Sequence, residues 1–227
     1  MKFIEENKNN ILKDLKALVD IDSISSNKEK VRDALECTLG IAQKLGFDGK
    51  SVLDEQVGIV ELGKGSETLG ILAHIDVVDE GNIKLWKSNP FKMEIRDEII
   101  YGRGTLDDKG AVIATLYAMK AVKEMGKPFK KKIQLIIGTQ EEAIWTDMES
   151  YVKGYPLPDY GFTPDGSFPV CNVEKGCLDI AIEIPLHEES CGSGKYLTKI
   201  TSGYAANIVP GEAIANITEV ETGDITK

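Results

Sequence analysis

The residues best suited to chemistry come in adjacent or near-adjacent groups, in a chain whose only histidines are His74 and His187. His74 and Asp76 stand two apart in the apolar run from Ile71 to Val78. On a strand such residues share a face. A buried pair of this kind is either a satisfied core pair or a metal ligand held by a carboxylate partner. Asp107 and Asp108 stand in "LDDKG" (106–110), where a strand gives way to a helix. Asp is common at helix N-caps and in first turns, so a cap with an extra charge accounts for this stretch taken alone. Glu141 and Glu142 close the most hydrophobic run of the chain, Ile133 to Gly138. Two adjacent carboxylates there can divide the work, one holding a metal and the other moving protons. Asp165 follows a further short strand in "FTPD" (162–165). Four such groups in order, with imidazole and carboxylates together, suit Zn²⁺ or a two-metal site better than Mg²⁺, which keeps waters and binds few carboxylates.

The elements that must position these groups can be read from periodicity. Ile11, Leu12, Leu15, Leu18 and Val19 repeat with a helical period and predict an amphipathic helix over 8–20. Ser26 and Glu29 form a capping-box pattern that opens a second helix, and Gly46 ends it. Val57 to Leu62 and Leu69 to Val78 are short apolar runs flanked by glycines and predict strands. Ile99 and Ile100 predict a further short strand. Gly110 to Met125 is helical in pattern, and Ile133 to Gly138 reads as a buried central strand. A helix is expected over Trp145–Val152 and a strand over Tyr160–Thr163. Strands alternating with helices imply an α/β layered domain with a parallel or mixed sheet. Past about residue 180 the pattern becomes strand-like, over Leu178–Ile184 and Leu197–Ser202, and a second subdomain is expected to begin there.

Composition narrows the function classes. The chain has 227 residues, is 42% hydrophobic, and carries a net charge of −10. That suffices for a substantial core and disfavours nucleic acid or an anionic membrane as partner, since both need clustered Lys and Arg. No apolar run is long enough to span a bilayer, and the polar N-terminus lacks a signal-peptide pattern. Cys37, Cys171, Cys177 and Cys191 form no CxxC pair. Free thiols in a reducing cytoplasm are therefore expected.

The motifs resemble the zinc-dependent M20 metallopeptidases, in particular the PepV-like dipeptidases. The segments that carry the resemblance are "HIDVVDEG" (74–81), "WKSNPF" (86–91), "YGRGTLDDKG" (101–110), "GTQEEAIW" (138–145), "FTPDGSFPV" (162–170) and "EKG" (174–176). They cover most of residues 70–176 in the right order, and "SGYAANIVPGEA" (202–213) resembles the start of the family's lid domain. The resemblance implies a three-layer αβα zinc-exopeptidase-like catalytic domain over 1–178, with a mixed central sheet. Residues 179–227 would begin an α+β lid domain. It implies zinc-dependent hydrolysis of dipeptides at a two-zinc centre. His74 and Asp165 would hold one zinc, Asp107 would bridge both, and Glu142 would hold the second. Glu141 would be the general base, Asp76 would orient His74, and Asn207 would help bind substrate. Asp107 is expected to be ionised and deeply placed, with a cis peptide joining it to Asp108. Asp108 is read as a neighbour that aims Asp107, and Lys109 as a local counter-charge.

Some of the pattern is absent. In relatives the second zinc takes a histidine from a returning C-terminal segment, and the lid supplies a histidine and an arginine. His187 does not match those motifs and is read as a surface residue. Only the first zinc has its complete protein ligand set within the chain. Gln140 stands where an acid often precedes the glutamate pair, and Ala143 and Ile144 replace a small polar Ser-Gly. Three functions stay open on sequence alone. The first is a zinc dipeptidase, with M20 amino-acid deacylases and desuccinylases as close cousins. The second is a non-catalytic remnant holding one metal or none. The third is a Mg²⁺-dependent phosphoryl-transfer protein, for which Gly63–Thr68 lacks the required G-x-x-x-x-G-K-[ST] order.

Overall fold

A computed structural model of the chain describes residues 2–166, 170–176, 178, 180–184, 194–203 and 209–220. Packing divides the chain into two compact units, Met1–Val170 and Cys171–Lys227.

The first unit begins with two amphipathic helices, α1 (Lys2–Val19) and α2 (Lys28–Lys44). The N-cap of α2 is Asn27, whose side chain accepts from the Lys30 amide, so a simple N-cap one residue on replaces the capping box expected at Ser26. Gly46, at φ +82°, stops the helix where a residue with a Cβ would be strained.

Five strands follow in a mixed sheet. They are β1 (Asp48–Val52), β2 (Val57–Leu62), β3 (Thr68–His74), β6 (Lys132–Gly138) and β7 (Tyr160–Phe162), in the spatial order β1-β2-β6-β3-β7. β2 pairs antiparallel with both β1 and β6, while β3 runs parallel to β6 and to β7. Between β3 and β6 lie a separate hairpin, β4 (Glu94–Arg96) with β5 (Ile99–Tyr101), and helix α3 (Lys109–Glu124). Helix α4 (Thr146–Gly154) connects β6 to β7.

The period of two along each strand sorts the core into two layers. Val60, Leu62, Ile71, Ala73, Leu135 and Ile137 face one side, where they pack with Leu18, Leu35, Val112 and Leu116 of α1, α2 and α3. Val57, Ile59 and Ile136 face the other, with Tyr151 of α4. The sheet is therefore sandwiched between helices, in an α/β fold with a mixed sheet. Each fully buried aliphatic side chain stabilises by about 1.5–3 kcal/mol, so these two layers dominate the fold energetics.

The strand expected over 69–78 ends at His74. Beyond it, the chain continues alongside the α1–α2 loop through a single parallel bridge, Ile24 with Val77. The second unit contains a hairpin of β8 (Gly194–Ser202) and β9 (Ala213–Val220). Leu178 and residues 180–184 lie in no strand, contrary to the periodicity. Among the described residues, no helix is long and apolar enough to cross a membrane.

Candidate metal centre

Because β3, β6 and β7 are mutually parallel, their C-terminal ends open at one edge of the sheet. Ligand sites in open α/β sheets form at such an edge. His74, the last residue of β3, is in register with Gly138, the last of β6. After β6 the chain turns sharply through residues 139–145. That turn is held by Asp147 of α4, whose Oδ2 accepts the amides of Thr139 at 2.7 Å and Gln140 at 3.2 Å. After β7, Pro164 leads directly to Asp165. The fourth contribution comes from the turn into α3 rather than from the central sheet, since β5 belongs to the separate hairpin.

That turn, "LDDKG", resolves its two carboxylates. The Asp107–Asp108 peptide is cis, as the resemblance implied. Asp108 occupies the N-cap position of α3 but makes no capping bond. Its Oδ2 instead accepts the His74 amide at 3.1 Å, in a buried contact. The Lys109 ammonium is buried and donates to the carbonyls of Leu18 at 3.1 Å and Ile21 at 2.6 Å. Lys109 is thus a tie between the turn and the end of α1, not a counter-charge to the aspartates. Gly110 is required by space, since a Cβ there would lie 2.1 Å from the Thr105 carbonyl oxygen.

The imidazole of His74 is buried and faces carboxylates on both sides. Its Nδ1 lies 3.0 Å from the Asp76 carbonyl oxygen and 3.4 Å from Asp76 Oδ1. Its Nε2 lies 3.0 Å from Asp107 Oδ1, 3.3 Å from Asp165 Oδ2 and 3.9 Å from Glu141 Oε2. Despite these short distances, Nε2 has hydrogen-bond geometry to none of them. Among the described residues, His74, Asp107 and Asp165 form a group whose donor atoms all lie within 4.8 Å of one another. Glu142 stands outside that group, its backbone amide bonded to Asp76 Oδ2 at 3.1 Å.

These residues fit a divalent cation. With Nδ1 committed to Asp76, Nε2 is the ring atom left to ligate once its proton is displaced, and it faces two carboxylate oxygens. Ligand bonds of about 2.0–2.2 Å could be made by one ion to donor atoms that lie, as these do, within 4.8 Å of one another. An unpartnered buried nitrogen otherwise costs about 1–3 kcal/mol.

The electrostatics of the metal-free cluster are those of crowded acids around one base. Burial opposes a charged imidazole, but the Asp76 carboxylate, with Asp108 and Glu141 behind it, outweighs this and holds His74 up at about 10. Burial pushes Asp108 up to about 7, and Asp165 and Asp107 add repulsion. Glu142 is pushed up to about 7 by burial and by the charges of Asp107 and Glu141. Burial likewise raises Glu141, with Asp165 and Asp107 contributing. Asp76 goes the other way. Burial would raise it, but His74, the Ser25 hydroxyl and the Glu142 amide prevail and lower it.

One sequence expectation is reversed. Asp107, expected to lie deep, has a side chain 57% exposed, while Asp108 is fully buried. Asn207 and His187 lie outside the described residues. Ser25, Asp108, Lys109 and Asp147 support the site and were not singled out for these contacts. Asp147 carried a signal in retrospect, as an acid in the first turn of the helix after the glutamate pair.

The α/β fold with its mixed sheet thus carries an imidazole–carboxylate cluster at the C-terminal edge of its parallel strands, a group that could hold a metal ion. The chain matches the description Peptidase family M20/M25/M40 over residues 70–220, and it belongs to that family. It is 41% identical over 189 residues to "Putative dipeptidase YtjP" of Bacillus subtilis (strain 168), covering 83% of this chain and 40% of that protein. It is 38% identical over 224 residues to "Putative dipeptidase SSP1012" of Staphylococcus saprophyticus, covering 94% of this chain and 47% of that protein. The chain thus spans less than half the length of these relatives. Among solved structures it resembles human carnosine dipeptidase 1, with a TM-score of 0.63 and 25% identity over 73% of this chain and 40% of that one. A metallo-carboxypeptidase of Sulfolobus solfataricus shares the fold, with a TM-score of 0.60 and 24% identity over 69% of this chain and 37% of that one.

Proposed function

We propose that this chain supplies the metal-holding and proton-transferring part of a zinc-dependent dipeptidase. The observation that carries the proposal is the buried, unpartnered Nε2 of His74, set between Asp107 and Asp165 with Glu141 behind. The relatives' names point to dipeptides as the substrate class.

His74, Asp107 and Asp165 would hold one zinc, Asp107 would also reach a second, and Glu142 would bind that second ion. Bound zinc supplies Lewis acidity, which lowers the pKa of a water and polarises a scissile carbonyl. The remaining work falls to the chain's own groups. Glu141 accepts a proton from the attacking water at its carboxylate and passes it to the leaving amine. Its upward-shifted pKa, set first by burial, suits both halves of that task. Asp76 keeps Nδ1 protonated, so that Nε2 stays a donor to the cation. Asn207 would contact the substrate. A reducing, cytoplasmic setting goes with this reading.

Replacing Glu141 by Ala tests the assignment. Dipeptide hydrolysis by the zinc-loaded protein should fall by about 10²–10⁴-fold, the contribution of a positioned general base, while zinc content is unchanged. Full activity in Glu141→Ala would refute the role of the base. A zinc-loaded wild type with no dipeptidase activity would instead favour a non-catalytic metal-binding remnant.

A further inference from the structure

We infer that Ser25 is a positioning residue of this centre, acting through Asp76, and that the carboxylate already expected to orient His74 also clamps the turn bearing Glu141 and Glu142. The inference rests on the metal reading of the site.

The Asp76 side chain is fully buried. Its Oδ2 accepts from the Ser25 hydroxyl at 2.7 Å and from the Glu142 amide at 3.1 Å. Its Oδ1 accepts from the Glu141 amide at 3.2 Å and lies 3.4 Å from His74 Nδ1. A single carboxylate therefore meets a ring at the end of β3 and two successive amides beyond β6. Of its three hydrogen-bond donors, Ser25 gives the shortest contact, and the bond is charge-assisted.

Ser25 is itself aimed by backbone pairing. Its amide donates to the Val77 carbonyl at 3.1 Å, and the Val77 amide donates to the Ser23 carbonyl at 2.9 Å. The buried Ser23 hydroxyl donates to the Ile75 carbonyl at 2.6 Å. The α1–α2 loop thus runs as a strap along residues 75–77 and delivers the Ser25 hydroxyl to Asp76. That hydroxyl has one proton, and the Val77 carbonyl, at 3.3 Å, is its poorer acceptor. Without it, an ionised buried carboxylate keeps only its two longer amide bonds and the imidazole. Its loosened rotation is passed on to His74 and to the glutamate turn together.

The test compares Ser25→Ala and Ser25→Thr in the full chain. Zinc affinity should fall about tenfold or more in Ser25→Ala, the usual effect of losing a group that orients a ligand, and return in Ser25→Thr. In the zinc-free chain, amide hydrogen exchange at Glu141 and Glu142 should quicken about tenfold in Ser25→Ala, while the β6 amides of Leu135 to Ile137 stay protected. Wild-type zinc affinity with unchanged exchange at both amides would overturn the proposal. So would a uniform quickening that includes β6, since that reports general destabilisation. If the wild-type chain takes up no zinc, the metal reading fails, and the exchange comparison alone decides whether the clamp exists.

Discussion

At the scale of single residues, the site is one base held among acids. A cation requires neutral His74 and ionised carboxylates, whereas the metal-free cluster keeps His74 protonated up to about 10 and Glu142 up to about 7. Zinc binding at pH 7 should therefore release about one proton or more per ion. Calorimetry in buffers of different ionisation enthalpy measures that number, and zinc uptake with no proton release would show that His74 is already neutral. The candidate residues could be picked out in the sequence because four imidazole or carboxylate groups follow apolar runs in order, although each alone has an ordinary reading. Which of Asp107 and Asp108 is buried was not legible. Adjacency says nothing about which way a turn aims its side chains, and the hydrogen bond from the His74 amide to Asp108 is a contact across 34 residues.

At the scale of elements, parallel β3, β6 and β7 present their ends together, and the start of α3 completes the cluster. The tight spot is Gly110, where a Cβ would sit 2.1 Å from the Thr105 carbonyl oxygen. Gly110→Ala must shift the first turn of α3 and with it Asp107. Zinc affinity should drop by about 10–100-fold, with a lowered melting temperature, as an isothermal titration and a thermal scan would show. An unchanged affinity would mean that the turn does not aim Asp107. The elements whose bounds periodicity matched best are those with one or two buried faces. β2 matches its expected bounds, and β6 and α3 differ by a residue. β1 was missed because it is exposed along most of its length and carries no apolar alternation. Among the described residues β9 pairs with β8 alone, and Ile214 and Ile217 are both exposed, so burial leaves no pattern there to read. Over Leu178–Ile184 the alternation is present but forms no strand among the described residues, since a strand needs a partner as well as a pattern.

At the scale of the whole molecule, the cluster makes stability depend on pH and on metal. Folding raises His74 from 6.5 to about 10, Asp108 from 3.8 to about 7 and Glu142 from 4.5 to about 7. In each case the folded chain binds a proton that the unfolded chain has already lost, so stability falls as pH rises through the interval. The His74 contribution is complete below 6.5 and is lost through about 10, while the two carboxylates are penalised increasingly up to about 7. Metal-free protein should therefore unfold more easily in denaturant as pH rises from about 5 to about 8, above which the Lys109 ammonium, lowered to about 8 by burial, works against the trend; saturating zinc should flatten the slope below 8. A metal-free chain whose stability rises across the same range would contradict the proposed crowding of charge. The central claim, however, is that His74, Asp107 and Asp165 hold a divalent cation, and a zinc titration of wild type against His74→Ala tests it most directly. Wild type should bind at least about one zinc per chain, and folded His74→Ala should lose that site. Equal zinc binding by the two proteins, or none by folded wild type, would contradict the claim.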